Sequence, residues 1–432
     1  MRTIRSMRGG ELTAVVSIAV LLGGCGDLFE VSNPGRILDE DLNTPLAVQT
    51  LVVGMSADFA EGYDGQSFAD ARLGDEMAGS GSYFLTGLLR RGVVNAEDID
   101  GFWEDAHRAR WTAESGLERM REIEDYDFDG NPFTARAFLF AAFSNRWLGE
   151  NFCEVVYSGP YEADTGEVVP RTAAFERSIP QFEEAIAHAE QAGETELLMA
   201  ARGGLAQAHL GLGQYDQAAT IAAQVPTDFV YSALYSENSG RENNEIWLET
   251  HGRAEMSAYQ ALAGSYDPPD PRAPWVDCRE TSCQAGATGA DGETPHFAQM
   301  KYPDRGADIP LVKGTEMRLI EAEAALRGGD LDTFNEKVNE VRAHHDLDPI
   351  QATSLGAEVT GDRNSMTAWD VLDRERHLTL WLEGRRMWDL HRWDHPFLDG
   401  GMIIYEPLNA RRDSCFPVSF SECQTNPNVP CG

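Results

Sequence analysis

Positive charge is scarce in this sequence. Its 432 residues hold 71 acidic side chains against 35 lysines and arginines, which gives a formal net charge of −36. Lysine occurs only at Lys301, Lys313 and Lys337. A surface of this sign repels phosphate backbones, so the composition argues against a nucleic-acid partner. It favours neutral ligands, cations or partners with basic rims.

Signatures of enzymes and metal sites are also lacking. The sequence contains no H-E-x-x-H, no G-x-S-x-G and no phosphate-binding glycine loop, which argues against a hydrolase and against a bound cofactor. Asp125, Asp127, Asp129 and Gly130 match the opening of a calcium loop, but Arg136 stands where its bidentate glutamate belongs. A polar turn between helices is the simpler interpretation of this segment, and calcium binding stays open. We therefore predict a protein that is not an enzyme.

Long apolar runs are confined to the N-terminus. Residues 12–22 form an apolar stretch of signal-peptide length, preceded by Arg2, Arg5 and Arg8, and no later segment approaches a membrane-spanning run. Gly23, Gly24 and Cys25 follow, in an arrangement that resembles the bacterial lipobox. The pattern predicts that residues 1–24 are a signal peptide and that Cys25 carries lipid. An ordinary signal peptide containing a cysteine is the alternative.

Cysteine usage agrees with export. Of the 7 cysteines, removal of Cys25 leaves an even number, which in an oxidising compartment indicates up to three disulfides among 15 possible connectivities. No two are spaced C-x2-C, which argues against zinc. The four residues between Cys278 and Cys283 permit a local bridge. For the others we favour the pairings Cys153–Cys415 and Cys423–Cys431.

Helical periodicity dominates the rest of the chain. Apolar residues at three- and four-residue steps predict helices over residues 41–59, 103–123, 134–148 and 172–192. Strand signals are weak and short, at residues 168–169 and 402–405. The fold class predicted is mostly α.

Two segments share the spacing of a helical hairpin with a glycine turn. Residues 194–226 place this turn at Gly213, and residues 314–346 place it at Gly329. Each segment resembles the tetratricopeptide repeat, because small residues on its first helix allow a second helix to pack back against it. The two are not in tandem, so an insertion divides the scaffold.

The insertion, residues 227–310, is rich in Gly, Pro, Asp and Ser, and residues 72–100 form a second irregular stretch. Long loops on a rigid frame commonly carry recognition. Aromatic side chains in such loops can stack on the C–H faces of sugar rings. The candidates for ligand binding, each with ordinary packing as the alternative, are Tyr83, Phe84, Trp103, Trp275 and Tyr302.

The most informative segment is residues 369–393, WDVLDRERHLTLWLEGRRMWDLHRW. As a helix it would be apolar around most of its circumference, so it should be buried. Its charged residues then need partners, and Glu383 and Asp389 can pair with neighbouring arginines. The segment ERHLTLWLEGRRMWDLHRW resembles the closing segment of the SusD/RagB-like outer-membrane lipoproteins, with departures at Thr379 and His391. NPGRILDEDL, DIPLVKGTEMRLIEAEAAL and FPVSFSECQTNPNVP agree with that family too.

The resemblance implies a single domain, residues 25–432, built on four tetratricopeptide-like pairs with irregular ligand-side insertions. It further implies a lipid-anchored protein on the outer face of the outer membrane. Such a protein captures oligosaccharides, or peptides, for a TonB-dependent transporter barrel. A repeat scaffold for envelope assembly is the alternative, although it would not need aromatic-bearing irregular stretches or the closing motif.

Overall fold

A computed structural model describes residues 39–157, 166–400 and 411–431. The chain divides into two compact units, residues 1–42 and 43–432. The described part of the first unit is a 3-10 turn, Asp39–Leu42. Among the described residues, no helix is both long enough and apolar enough to cross a membrane.

Helices form the frame of the second unit, which confirms the predicted mostly α class. In chain order they are α1 (Val48–Leu73), α2 (Phe84–Arg90), α3 (Asp100–Glu122), α4 (Pro132–Asn151), α5 (Thr172–Ala192), α6 (Thr195–Gly211), α7 (Tyr215–Ala222), α8 (Gly314–Arg327), α9 (Leu331–His344), α10 (Ala368–Thr379), α11 (Arg386–Arg392) and α12 (Phe420–Thr425). A helical turn at Glu245–Trp247 continues as a π-helix, Leu248–Gly252.

The first predicted helix differs most from its prediction. It begins at Val48 and continues to Leu73, although the sequence predicted residues 41–59. The extension buries Asp64, Gln66 and Asp70 beside apolar neighbours. These buried polar residues interrupt the apolar periodicity and hide the second half of the helix from sequence reasoning. The helix over residues 172–192, by contrast, has the predicted bounds.

The long helices pack as four successive pairs, α1 with α3, α4 with α5, α6 with α7, and α8 with α9. Helix α7 packs against α8, so the two repeat-like segments are neighbours in space although an insertion separates them in sequence. Arg318 of α8 donates to the carbonyl oxygens of Ala222 and Val225 at 2.7 and 3.1 Å. Gly213 and Gly329 turn the two pairs with φ of +69° and +78°, a left-handed conformation that favours glycine.

Short antiparallel ribbons account for the strands. β1 (Ala78–Gly79) pairs with β5 (Met256–Ser257), β2 (Glu154–Val156) with β3 (Val168–Pro170), β4 (Val230–Ala233) with β8 (Ile309–Lys313), and β6 (Trp275–Asp277) with β7 (Phe297–Gln299). The predicted strand at residues 168–169 forms, and residues 402–405 lie outside the described residues. The two stretches predicted to be irregular therefore contain ordered elements. Their strands are two to five residues long, too short to show a period.

The closing segment is buried as predicted, but it is two helices and not one. Helix α10 ends at Thr379 and α11 begins at Arg386. Between them, Leu382 and Gly384 have φ of +59° and +65°. A Cβ on Gly384 would lie 2.6 Å from the Ser67 hydroxyl oxygen, so this turn requires glycine. The E-G step of the motif, Glu383–Gly384, thus lies in the turn between the two helices.

Three disulfides link the six described cysteines in the pairings that the sequence analysis favoured. Cys278 joins Cys283, Cys153 joins Cys415, and Cys423 joins Cys431, with Cα–Cα distances of 5.4, 5.2 and 5.2 Å. The first closes a local loop directly after β6. The second joins the end of α4 to the C-terminal region.

Candidate functional site

The two stretches predicted to carry ligand recognition meet in the structure. β1 of the first pairs with β5 of the second, with Ala78 opposite Ser257 and Gly79 opposite Met256. Beyond the ribbon, the Ser80 amide donates to the Glu255 carbonyl at 3.0 Å and the Asp291 amide donates to the Ser80 carbonyl at 2.9 Å. Residues 78–80, 255–257 and Asp291, which are distant in sequence, therefore form one local framework.

Two adjacent aromatic residues, Tyr83 and Phe84, stand on this framework and are named here the aromatic platform. Their exposed fractions are 45% and 73%, high for side chains of this size. Phe84 is the first residue of α2, and Thr86 and Leu89, on the opposite side of that helix, are buried. The inner side chains hold α2 against the core and leave the platform at the surface.

A polar pair lies beside the platform. Glu249 is buried and forms an ion pair with Arg253, whose side chain is half-exposed. Burial, and next the neighbouring Glu245, raise the pKa of Glu249 to about 7, while Arg253 opposes the shift. Partial desolvation and then the Glu249 carboxylate raise the pKa of the Tyr83 phenol, and the Arg253 charge lowers it. The aromatic faces of the platform thus lie near one half-exposed charged group, Arg253, that can hydrogen-bond to a ligand.

Trp275 occupies the other side of the framework, on β6. β7 connects it to β5, since the Ala258 amide donates to the Phe297 carbonyl at 2.9 Å. The half-buried indole stacks on the Phe297 ring at 4.4 Å between centroids, and its N–H donates to the Ala263 carbonyl at 2.9 Å. Because that N–H is already used, Trp275 can offer a ligand only the exposed part of its ring.

Trp103 and Tyr302 are core residues, which corrects their selection as ligand candidates. Trp103 is 4% exposed and packs edge-on against Phe152 at 5.2 Å. Tyr302 is 2% exposed and donates its hydroxyl to the Leu382 carbonyl at 3.0 Å. Neither presents a free face for stacking. The candidate site is therefore narrowed to Tyr83, Phe84 and Trp275.

Two further predictions concern Cys25 and the segment that resembles a calcium loop. Cys25 is outside the described residues. The segment with Asp125, Asp127 and Asp129 forms the connection between α3 and α4, with left-handed backbone at Asp125 and Gly130. Within residues 39–157, 166–400 and 411–431, no three His, Cys, Asp or Glu side chains are grouped to hold a metal ion.

Sequence reasoning missed the polar residues of the site, Glu249, Arg253 and Glu255. All three are in the insertion, in a segment without a motif; Glu255 accepts hydrogen bonds from Ser82, and Glu249 and Arg253 act on Tyr83 through their charges. The only available signal was their position in a long segment already suspected of recognition.

Comparison with known proteins agrees with this architecture. Residues 298–429 match the SusD family. Solved structures with the same fold include a SusD homologue from Bacteroides thetaiotaomicron (TM-score 0.65, 14% identity, 90% of this chain and 97% of that one). A second is a laminarin-binding SusD-like protein (TM-score 0.64, 18% identity, 88% of this chain and 97% of that one). A third is a SusD-like carbohydrate-binding protein from Bacteroides vulgatus (TM-score 0.62, 15% identity, 89% of this chain and 97% of that one). No curated protein matches the chain in sequence.

The family match covers the closing motif and the C-terminal region, and the shared fold extends over most of the chain. The chain therefore has the fold of SusD-like proteins, and its residues 298–429 match the SusD family.

Proposed function

We propose that the protein is a surface lipoprotein that captures oligosaccharides and passes them to a TonB-dependent transporter barrel. On this proposal residues 1–24 are a signal peptide, Cys25 is lipidated, and residues 25–432 form one SusD/RagB-like domain on the outer face of the outer membrane. The observation that carries the binding role is the exposed platform, Tyr83 and Phe84, on a rigid frame.

Several features support a glycan as the ligand. An exposed aromatic ring can stack on the C–H face of a sugar, and neighbouring polar groups such as Arg253 can bind its hydroxyls. The acidic surface favours a neutral ligand. One structural neighbour binds laminarin, a neutral polysaccharide. A peptide is the second class of ligand that the family resemblance allows.

Calorimetry of the purified protein against laminarin, other neutral polysaccharides and a peptide mixture tests the binding role. We expect binding without cleavage and with a Kd between roughly micromolar and millimolar, about −8 to −4 kcal/mol, because the ligand must be released to the barrel. Tyr83→Ala should weaken binding without changing the melting temperature, whereas Trp275→Ala should weaken binding and also lower the melting temperature, because its ring packs on Phe297. Trp111→Ala, which removes an aromatic side chain that is 37% exposed on α3, is the matched control. Turnover of any ligand would favour an enzyme instead.

Membrane attachment and the partner need separate tests. Cys25→Ser should abolish labelling by a radioactive fatty acid and release the protein from membranes, whereas equal labelling of both forms would contradict lipidation. A transporter barrel should co-purify with the protein from native membranes. Its absence would favour a scaffold in envelope assembly.

A further inference from the structure

We propose that Glu255 is the positioning residue of the aromatic platform. This inference rests on the proposed ligand-binding function. It assigns to a residue of the insertion, residues 227–310, the positioning of a platform that lies in residues 72–100. One buried carboxylate holds the segment that carries Tyr83 and Phe84.

Glu255 accepts hydrogen bonds from both sides of the platform. Its Oε1 accepts from the Ser82 amide and from the Ser82 hydroxyl, each at 3.2 Å. Its Oε2 accepts from the Thr86 hydroxyl at 3.1 Å. Ser82 directly precedes Tyr83, and Thr86 lies in the first turn of α2. The carboxylate therefore fixes the entry to the platform and the helix behind it.

Burial makes these contacts specific. Glu255 is 1% exposed, and a buried carboxylate is costly unless its oxygens accept hydrogen bonds. Hydrogen bonds to an ionised acceptor are about twice as strong as neutral ones. A displaced loop would leave this charge without the donors that it has in the observed conformation.

The backbone of the loop is shaped around the same carboxylate. A Cβ on Gly81 would lie 1.8 Å from Glu255 Oε2 and 2.8 Å from the Thr86 methyl carbon. Only glycine permits this close approach without a shift of either partner. The path of the chain immediately before the platform is thus matched to the position of Glu255.

A second charge supports the arrangement from the core. The buried Arg72 donates from Nη1 to the Thr86 hydroxyl oxygen at 2.6 Å, and its guanidinium lies 3.8 Å from the Phe68 ring centroid. With the Arg72 N–H on its oxygen, the Thr86 hydroxyl directs its own proton to Glu255. Arg72, Thr86 and Glu255 form a charge-balanced chain from α1 through α2 to the insertion.

The consequence is a platform held in its surface position before the ligand arrives. Exposed aromatic side chains in a loop would ordinarily lose conformational freedom on binding, which weakens affinity. The hydrogen bonds of Glu255 remove part of this loss in advance. Glu255 need not touch the ligand to influence affinity.

Hydrogen exchange of the full-length protein tests this role without any ligand. In Glu255→Ala, amides of residues 80–86 should exchange faster by about tenfold, as expected when a buried hydrogen bond is lost. Glu255→Gln keeps an acceptor for Ser82 and should be closer to wild type. Thr86→Val removes the hydroxyl at similar volume and serves if Glu255→Ala does not fold. Unchanged exchange in the folded variants would overturn the proposal.

Affinity for laminarin and the other polysaccharides of the panel gives the second measurement. Glu255→Ala should weaken binding by about tenfold per folded molecule. Glu242→Gln is the matched control, because Glu242 of the same insertion also accepts from two serines, Ser236 and Ser239, but away from the platform. Faster exchange with unchanged affinity would overturn the positioning role. If wild type binds no panel member, the proposed function fails, while exchange still decides whether Glu255 holds the platform.

Discussion

Glu383 and Lys301 form an ion pair in the interior, with 2.5 Å between the carboxylate Oε1 and the ammonium Nζ. The same oxygen lies 2.6 Å from Nζ of Lys313, so two of the three lysines in the chain converge on one carboxylate. Lys301 also donates to the Trp381 carbonyl at 2.5 Å. This cluster joins the end of the insertion and β8 to the turn of the closing segment.

Loss of the Glu383 charge should destabilise the fold. Glu383→Gln leaves two largely buried ammonium groups facing a neutral amide, and removal of one member of a buried ion cluster typically costs about 3–5 kcal/mol. Chemical unfolding at neutral pH should show a loss of this size. Glu340→Gln is the matched control, since its pair with Lys337 is more exposed and should contribute about 1 kcal/mol or less. Equal losses in the two variants would contradict the burial argument.

Asp70 should make the fold less stable as pH rises. Burial raises its pKa to about 7; Asp389 and Glu150 add to the shift, and the Met387 amide and Arg386 oppose it. A carboxyl with a higher pKa in the folded state binds a proton on folding. The stability that this proton binding contributes is complete at pH values below the pKa of Asp70 in the unfolded chain. It is lost as pH rises from about 4 to about 7.

Asp70→Asn isolates this effect, because asparagine keeps the acceptor for the Met387 amide at 2.7 Å. The variant should be more stable than wild type at pH 8. The difference in unfolding free energy should grow by about 1.4 kcal/mol per pH unit between pH 4 and 7. Urea unfolding of both proteins at several pH values checks this, and a difference that does not vary with pH would contradict it.

The pKa of Asp75 is shifted in the opposite direction to that of Asp70. Burial alone would raise the pKa of this carboxyl, but the charges of Arg386 and His377 outweigh burial and lower it. Its contribution to stability is therefore present above the unfolded pKa and is lost as pH falls through the lower folded pKa. Asp75→Asn should be less stable than wild type at neutral pH in the same urea series. Stabilisation by this substitution would show that the Arg386 pair is not favourable.

Arg327 should contribute to the contact between the two repeat pairs. Its guanidinium lies 4.0 Å from the Tyr215 ring centroid on α7 and 4.8 Å from that of Trp369 on α10. It also forms an ion pair with the buried Glu323 at 2.9 Å. Arg327→Ala should cost about 1–3 kcal/mol, and Arg327→Lys should restore only part, because lysine lacks the planar stacking group.

Thermal unfolding measures this loss. Arg202→Ala is the control for Arg327→Ala. Arg202 pairs with a half-exposed Glu190, so its truncation should change the free energy of unfolding only slightly. If both arginine variants melt alike, the stacking across the repeat boundary contributes nothing.

The helical frame could be predicted from sequence because its signals are local. The turns at Gly213 and Gly329 and the periodicity of residues 172–192 each lie within one or two helices. The break at Leu382 was not predictable, because the run of apolar residues continues through it. It is stabilised by distant partners, such as the Glu76 carboxylate that accepts from the Leu382 amide at 2.9 Å.

The site was less predictable than the frame because exposure depends on tertiary packing. Tyr83 and Trp103 are both aromatic residues in or near irregular sequence, yet one is 45% exposed and the other 4%. No local pattern separates them. The link from Glu255 to Ser82 spans 173 residues, and nothing in either segment indicates its partner.

The disulfides should differ in their contribution to stability. Cys153 and Cys415 are separated by 262 residues, whereas Cys278 and Cys283 are separated by 5. Loop-closure entropy predicts a loss of about 5 kcal/mol for removal of the first bridge and about 2 kcal/mol for the second. Paired cysteine-to-serine variants, Cys153→Ser with Cys415→Ser and Cys278→Ser with Cys283→Ser, allow direct comparison by chemical unfolding.

The short bridge should act mainly on its own surroundings. It directly follows β6, so its removal should speed hydrogen exchange in β6 and β7 around Trp275 while the helical frame exchanges as before. Removal of the long bridge should instead loosen the contact at which the Cys153 amide donates to the Phe416 carbonyl at 2.9 Å. Equal losses of stability for the two pairs, with exchange changes spread evenly, would contradict the loop-closure argument.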